Sequence, residues 1–505
     1  MPLLTASLTT AAAFLPIYLA ESNVGEFTAS LFKVVTITLL CSWAISLTLI
    51  PMLCVYFLKA GTVEQAFNNR FYRSYRALLE GMLFRRGLTL LLTGIIFALS
   101  MGVFSYLPKV FFPPSDRAYF KVEMELPTGT SIEKTSRVIS DIEAYLQANW
   151  QVGENQKEGV TNWASYIGNA GPKFILAHNP KPANPGYALM VVNVNGVSSI
   201  DPIMASLKEY ALERHPDLDL KARRIENGPA IDNPVEVRLS GTDSPRLFAA
   251  MDDLKQNMAA MGGLSNISDD WGPRIKKLNI EINQARALSA GVTSQDIAVS
   301  MQTSLEGLQL TEYREGEDVI PVLLRSGVAT QQDISKIEGL SVYIQSTGQS
   351  LPLTQVADIN VVWDLSKVIR RDGLRTITVG AQLLGDVTAA EKFAELKPWL
   401  QQQQLLWGNS VSYAFGGEHE TSGKSNDSII EKLPIAGFII LILLVAQFNS
   451  FRKALIILIT IPLGLIGVAL GLLVAKSFFG FMTFLGIISL AGIVINNAIV
   501  LLERI

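Results

Sequence analysis

Two adjacent amides, Asn496 and Asn497, interrupt an apolar stretch near the end of the sequence. Burial of an unpaired amide in apolar surroundings is costly, so each amide needs a hydrogen-bond partner. We therefore predict that both side chains face the interior of a helix bundle. Two roles fit that placement: hydrogen bonding between helices, or a step in an ion or proton pathway across a membrane.

Residue types that bind metals or carry out catalysis do not cluster in this sequence. The histidines, His178, His215 and His419, lack Cys or carboxylate partners at ligand spacing, which argues against a zinc site. The segment from Gly417 to Ser425 resembles a phosphate-binding loop, but five residues separate its glycines instead of four. We expect no metal, no cofactor and no enzymatic activity.

Six windows without any Asp, Glu, Lys or Arg divide the 505 residues, of which 49% are hydrophobic and 17% charged. The windows are 1–20, 34–58, 87–108, 433–451, 454–475 and 477–502. Each reaches the roughly 18–20 residues that a helix needs to cross a bilayer. The pattern predicts a bundle of six transmembrane α-helices, two of them in 1–58, one in 87–108 and three in 428–505. It excludes a soluble globular, a fibrous or a disordered protein.

The charges around these windows predict the orientation of the chain. The linker 59–86 carries six basic and two acidic residues, which indicates a cytoplasmic position by the positive-inside rule. Residues 109–427 then lie on the outer side. Within the linker, apolar residues recur at helical spacing opposite Arg70, Arg73 and Arg76, which predicts an amphipathic helix in the headgroup region. This helix is either an interfacial strut or a lipid-sensing element.

The outer region has the pattern of an α+β fold. Residues 118–126 alternate strictly, which predicts a strand with Phe120 and Val122 inward and Lys121, Glu123 and Glu125 toward solvent. A helix follows, for which Thr130 and Glu133 predict a capping box. The order β-α-β-β-α-β over 109–230 is typical of a ferredoxin-like unit.

A second ferredoxin-like unit is predicted over 231–284 and 369–422, and a strand with Leu278, Ile280 and Ile282 is expected in its sheet. The intervening residues 285–368 read as an inserted domain with a projecting hairpin near 312–324. The chain has a net charge of −3, and its sequence shows no basic patch of the kind that binds nucleic acid. We therefore expect no nucleic-acid partner.

Five segments carry a resemblance to a known family. They are SLTTAAAFLPI, LTLIPMLCVYFLK, FFPPSDRAYFKVEMELPTGTSIEKTSRVI, AQFNSFRKALIILITIPLGLIGVALGLL and FLGIISLAGIVINNAIVLLERI. In this order they resemble the resistance–nodulation–division (RND) efflux transporters, on the hydrophobe/amphiphile, acriflavine-resistance-type branch. The resemblance covers essentially the whole chain and aligns it with spans five to ten of the family's twelve.

The resemblance implies a function and its partners. Amphipathic small molecules would be exported by proton-driven alternating access in a homotrimer that meets a periplasmic adaptor (membrane fusion) protein and an outer-membrane channel. The chain would lie in the bacterial inner membrane, with residues 109–427 in the periplasm. Residues 109–230 would be one porter subdomain, 231–284 with 369–422 a second, and 285–368 the docking subdomain.

The resemblance also suggests site residues. Tyr166 and Phe174 fall where the family has its switch loop and aromatic substrate pocket. Asn496 occupies the position of a lysine that drug pumps of the family use in proton relay, and Asn497 matches the asparagine after it. The change from lysine leaves open a different relay or a different coupling ion. Two other functions remain open: an RND-related lipid or protein-export component, or a truncated membrane-anchored scaffold without transport activity.

Overall fold

The structure, a computed structural model, describes residues 2–57, 70–113, 115–153, 157–324, 339–385 and 387–503. The chain forms two compact units. One comprises Met1–Asp270 and Ile369–Ile505, and the other comprises Trp271–Val368. The first unit contains the long apolar helices and two sheets, one of four strands and one of five.

The helices and strands follow one another along the chain. The helices are α1 (Pro2–Leu19), α2 (Asn23–Phe57), α3 (Arg70–Phe84), α4 (Arg86–Val103), α5 (Ile132–Trp150), α6 (Ile200–Arg214), α7 (Ser244–Ala260), α8 (Gln284–Ser289), α9 (Ser294–Leu305), α10 (Ala389–Trp407), α11 (Gly417–Ile430), α12 (Leu433–Phe448), α13 (Phe451–Thr460), α14 (Gly464–Val474) and α15 (Phe481–Glu503). The strands are β1 (Tyr119–Glu125), β2 (Val160–Ile167), β3 (Tyr187–Val194), β4 (Asp219–Arg224), β5 (Val235–Gly241), β6 (Leu264–Asp269), β7 (Arg274–Ile282), β8 (Leu308–Glu315), β9 (Asp318–Leu324), β10 (Ser341–Tyr343), β11 (Ser350–Pro352), β12 (Ala357–Leu365), β13 (Arg370–Arg371), β14 (Leu374–Leu383) and β15 (Val411–Phe415).

Six helical stretches in the described residues are long and apolar enough to cross a membrane, by length and composition. They are α1, α2, α4, α11 with α12, α13 with α14, and α15. Each contains most of one predicted window. The segment that resembled a phosphate-binding loop, Gly417 to Ser425, is helical and forms the first part of α11. The break between α13 and α14 falls at Pro462, whose ring cannot continue the hydrogen-bonding pattern of a helix.

Helix α1 packs against α2, α12 and α15. Its contact with α15 is close because a small residue lies on each side. A Cβ added to Gly492 would lie 3.0 Å from Cγ2 of Thr10, and the Thr10 hydroxyl donates to the Gly492 carbonyl at 3.3 Å. Small residues of this kind allow apolar helices to approach each other in a bilayer.

The first outer sheet has the strand order β2-β3-β1-β4, with every neighbouring pair antiparallel. Helices α5 and α6 cover one face, where Phe120, Val122 and Met124 enter the hydrophobic core. This is the topology expected of a ferredoxin-like unit. The predicted capping box is wrong: Ser131 caps α5 by accepting from the Lys134 amide at 3.4 Å, and the Thr130 hydroxyl donates to the Pro127 carbonyl.

The second outer sheet repeats this order with β5 in the place of β1. Strand β14 lies between β5 and β6, and β15 pairs with the other edge of β5. The strand with Leu278, Ile280 and Ile282 was expected here, but it is β7 and pairs with β12 in the smaller unit. That unit therefore begins at Trp271, not at residue 285. Ile280 and Ile282 pack on its core, so their alternation was read correctly but assigned to the wrong partner.

The predicted hairpin in the smaller unit is present. Strands β8 and β9 pair in antiparallel register, and the turn between them contains Gly316 with φ of +63°. Every residue of β9 is exposed.

Candidate functional site

The polar face of β1 is buried. Lys121 is 3% exposed and Glu123 is 8% exposed, although their alternation with apolar residues predicted contact with solvent. Alternation identifies which residues share a face, but it does not show what covers that face. Here the face lies close to the loop between β2 and β3, because Lys181 of that loop is within 3.9 Å of Glu123.

Glu123 is the anion of a buried charge network. Its Oε1 atom lies 2.9 Å from Lys121 Nζ and 2.9 Å from Arg223 Nη2. Arg223 also donates from Nη1 to the carbonyls of Ile231 and Asp232, at 2.7 and 2.9 Å. Burial alone would raise the pKa of Glu123, but Arg223, Lys121 and Lys181 outweigh it and hold the pKa well below its usual range. Glu123 is therefore ionised at any physiological pH.

A second carboxyl, that of the half-buried Glu226, lies two residues after the end of β4. Burial raises the pKa of Glu226 to about 7, with an opposing contribution from Arg223 and a further upward contribution from Glu418. Glu226 therefore changes charge near neutral pH, which few carboxyls do. Neither Glu123 nor Glu226 was identified as a candidate from the sequence.

The loop from Gly168 to Gly186 contains one of the two predicted pocket residues, Phe174, and the other, Tyr166, lies just before the loop. Tyr166, at the end of β2, is half-buried and packs with the apolar cluster of Ala170, Tyr187 and Leu189. A Cβ added to Gly171, which has φ of +65°, would lie 3.0 Å from the Tyr166 ring. Tyr166 thus packs beneath the loop as part of its apolar core.

Phe174 lies at the surface of the same loop, 42% exposed, and stacks on His178 with 4.8 Å between ring centroids. His178 is buried, and its Nε2 atom lies 2.8 Å from the Ala170 carbonyl oxygen. Burial, together with the positive charges of Lys121 and Arg223, lowers the pKa of His178. The neutral His178 thus holds the loop through its hydrogen bond to Ala170, and its ring covers one face of Phe174 while the other face is open to solvent.

An open cavity of about 390 Å³ lies where the apolar helices meet the outer sheets. The chain after α4 and the chain before α15 form one of its walls through backbone hydrogen bonds. Val110 N donates to Phe479 O at 3.1 Å, and Phe481 N donates to Phe111 O at 3.0 Å. Phe111 N donates to the Glu418 carboxylate at 2.7 Å, which attaches α11 to the same wall.

The cavity is mainly apolar, with a few polar groups. Its lining residues are Lys109, Val110, Phe111, Ala390, Glu418, Ser422, Asn426, Ile430, Phe479, Gly480, Phe481 and Phe484. The Oδ1 atom of Asn426 is buried and accepts no hydrogen bond from any described residue. Aromatic walls with a carboxylate and an unpaired amide oxygen suit an apolar molecule that carries a donor or a positive charge.

Asn496 and Asn497 are both exposed on α15. The face of α15 that is buried consists of residues such as Ile488, Gly492, Ile495 and Ile499. Neither amide has a hydrogen-bond partner in the part of the chain that the structure describes. For this chain, the prediction that they face the interior of the bundle is wrong. The two amides lie on a face of α15 that is adjacent to the packed face, and that adjacent face is exposed.

The described residues contain no group of three or more His, Cys, Asp or Glu side chains that could hold a metal ion. His215 lies 2.8 Å from a single carboxylate, that of Asp141, and His419 packs against Phe393 and Phe415.

The whole chain, residues 1–505, matches the model of the AcrB/AcrD/AcrF family. The cobalt-zinc-cadmium resistance protein CzcA of Cupriavidus metallidurans is 20% identical over 515 residues, which cover 99% of this chain and 48% of CzcA. The multidrug resistance protein MdtC of Klebsiella pneumoniae subsp. pneumoniae is 22% identical over 516 residues, with coverage of 99% and 48%. The chain thus spans about half the length of the curated relatives it matches.

The fold is similar to that of solved structures. The crystal structure of a heavy metal efflux pump, in its crystal form II, superposes with a TM-score of 0.74 at 17% identity, covering 99% of this chain and 49% of that one. Crystal form I gives a TM-score of 0.73 over 50% of its chain.

Proposed function

Because the chain belongs to the AcrB/AcrD/AcrF family of RND efflux transporters, we propose that it is the central portion of a pump that exports amphipathic small molecules. In this proposal the protein lies in the bacterial inner membrane with residues 109–427 in the periplasm. Export is driven by proton influx and proceeds by alternating access in the outer region. The pump works as a homotrimer with a periplasmic adaptor protein and an outer-membrane channel.

The observation that carries the proposed substrate class is the cavity at the boundary between the helices and the outer sheets. Phe111, Phe479 and Phe484 give it an aromatic wall, and Glu418 with Asn426 supplies acceptors for one polar or cationic group. An amphiphile that partitions into the outer leaflet reaches this height of the protein without crossing the bilayer.

Heavy-metal cations are the competing substrate class, because one relative is named for cobalt, zinc and cadmium resistance and another for multidrug resistance. A transported metal ion needs several His, Cys, Asp or Glu ligands at one place. The described residues hold no such group, which supports the organic class of substrate.

The experiment uses the full-length protein in a strain that lacks its gene. We expect deletion to increase susceptibility to cationic amphipathic dyes and detergents, and re-expression to restore efflux. Increased sensitivity to cobalt, zinc or cadmium salts, with unchanged dye susceptibility, would instead support metal export. Absence of both changes would contradict the assignment of a pump.

A pair of variants tests the cavity itself. Ser422→Trp places an indole among the lining residues, whereas a Cβ at the adjacent Gly423 meets no atom within 4 Å. We expect Ser422→Trp to reduce dye efflux by about tenfold or more, which is the lower end of the range by which pocket contacts discriminate substrates. Gly423→Trp should leave efflux within about twofold of wild type. Equal efflux by the two variants would exclude the cavity from the substrate path.

A further inference from the structure

Helix α3 shows its entire surface to its surroundings. None of its 15 residues is buried in the structure. Its apolar side chains are as open as its charged ones: Phe71 is 75% exposed and Leu78 is 62% exposed. A continuous apolar stripe of this kind is not stable in water and requires a covering medium.

The two sides of α3 differ in chemistry. At 100° per residue, Phe71, Tyr75 and Leu78 lie on one side, and Arg70 and Arg73 lie on the other. The helix follows α2 along the chain, and a single residue, Arg85, separates its end from the start of α4. Both neighbouring helices are long and apolar enough to cross a membrane. The helix therefore lies where a membrane-crossing chain turns at the bilayer border.

The charges of this segment are unusually uniform. Residues 70–86 contain five arginines, no lysine and one acidic residue, Glu80. Glu80 is paired with Arg76, at 2.8 Å between Nε and Oε1. The other four, Arg70, Arg73, Arg85 and Arg86, have no ion pair with any described residue. A net charge of +4 thus remains for an external anion.

We propose that α3 and the arginines that follow it bind the headgroups of anionic phospholipids. The planar guanidinium presents a fork of donors that matches phosphate oxygens, and it keeps its charge at every physiological pH. The apolar side of the helix enters the acyl boundary while the arginines reach back to the headgroups. Zwitterionic lipids offer the same phosphate group without net charge, so the excess of four positive charges selects for anionic lipids.

The test counts bound lipids on the purified full-length protein by native mass spectrometry. The probes are short-chain phosphatidylglycerol and short-chain phosphatidylcholine, titrated separately. We expect phosphatidylglycerol to bind more tightly than phosphatidylcholine, and added salt to weaken only the former. Each arginine near the membrane surface contributes about fivefold in affinity.

The decisive variant is R70Q/R73Q/R85Q/R86Q, and the matched control removes exposed arginines far from this segment, R137Q/R246Q. Because the four side chains contact no described residue through ion pairs, we expect both proteins to elute as wild type on size exclusion. Preference for phosphatidylglycerol should be lost in the quadruple variant and kept in the control. Unchanged preference in the quadruple variant, or equal loss in both, would overturn the proposal.

A photo-crosslinking amino acid at Leu78, on the apolar side, identifies what covers the helix in cells. Adducts with phospholipid support the proposal. Adducts exclusively with a protein would overturn it, because they would show that another chain occupies this face.

Discussion

The Arg223 guanidinium donates to the Glu123 carboxylate at 2.9 Å, and this bond joins strands β4 and β1 on the face of the sheet opposite its helices. Lys121 shares the same carboxylate oxygen at 2.9 Å. The buried Lys121 and the largely buried Arg223 therefore depend mainly on a single anion. Removal of that anion leaves the buried Lys121 ammonium without its partner and weakens the pairing of Arg223, and a buried charge without a partner is strongly destabilising.

Glu123→Gln should consequently lower the free energy of unfolding of the outer region by about 3–5 kcal/mol. Because the pKa of Glu123 in the folded protein is far below its usual range, this contribution is fully present above the unfolded pKa and is lost only in strong acid. Thermal unfolding of the full-length protein, followed by intrinsic fluorescence, measures the change. Glu125→Gln is the matched control, since Glu125 lies two residues along the same strand with a side chain that is 43% exposed.

The loop with Phe174 should loosen as the pH falls. His178 resists protonation because burial, Lys121 and Arg223 lower its pKa. Below pH 6.5, His178 binds a proton in the unfolded chain but stays neutral in the folded protein. The free energy of unfolding therefore decreases as the pH falls, until the pH passes the pKa of His178 in the folded protein. Hydrogen-exchange protection factors of residues 168–186, which are corrected for the intrinsic exchange rate at each pH, measure this opening at pH 7.5 and 5.

His178→Gln keeps a donor for the Ala170 carbonyl and removes the titrating group. After correction for the pH dependence of intrinsic amide exchange, we expect its loop to show nearly the same protection at the two pH values. The exposed His419, changed to Gln, should retain the wild-type pH response. A response that persists in His178→Gln would assign it to another group.

Gly480→Ala should disrupt the wall of the boundary cavity. The added Cβ would lie 2.4 Å from the Val110 carbonyl oxygen, which is backbone and cannot rotate away. We expect destabilisation of about 1–3 kcal/mol, as in other overpacked sites, together with reduced efflux. Gly486→Ala lies in α15, which begins one residue after Gly480; its Cβ meets no atom within 4 Å, and the change should be neutral or slightly stabilising. Wild-type stability of Gly480→Ala would show that the wall is not held as closely as described.

Asn496 and Asn497 remain candidates for an ion pathway in the full-length protein, where we expect a further helix to cover their exposed face. The double change to Leu should abolish proton-coupled efflux in vesicles with an imposed pH gradient. The control is Ile493→Leu, an exposed position on the same helix. Unaltered coupled flux in the double variant would reduce the two amides to packing residues.

Features that depend on short-range pattern were predictable from the sequence. Windows without charge became long helices, and the periodicity of 109–230 gave the order of strands and helices, because both signals are contained in neighbouring residues. The partner of β7 was not predictable, since alternation in Leu278, Ile280 and Ile282 suits any sheet. The face on which Asn496 lies was hidden for a related reason: in a helix that is apolar all round, periodicity carries little information about which side packs.

The site was less predictable than the fold because its parts are distant in sequence. Phe111 and Phe481 belong to segments about 370 residues apart, and only the folded chain brings them into one cavity. The aromatic clusters beside two apolar windows, FF at 111–112 and FFGF at 478–481, were a signal that could have indicated it. The burial of Glu123 had no such signal, since a charged residue on an alternating strand normally faces water.

The backbone pairing of residues 108–111 with 479–481 has a mechanical consequence. It fastens the outer end of α15 to the stretch of chain that leads into β1, and peptide groups, unlike long side chains, have no slack with which to absorb movement. Any sliding or tilting of α15 within the membrane therefore displaces the chain that leads into the first outer sheet. This backbone pairing mechanically couples α15 to the first outer sheet, and its stiffness determines how much of a movement of α15 reaches that sheet.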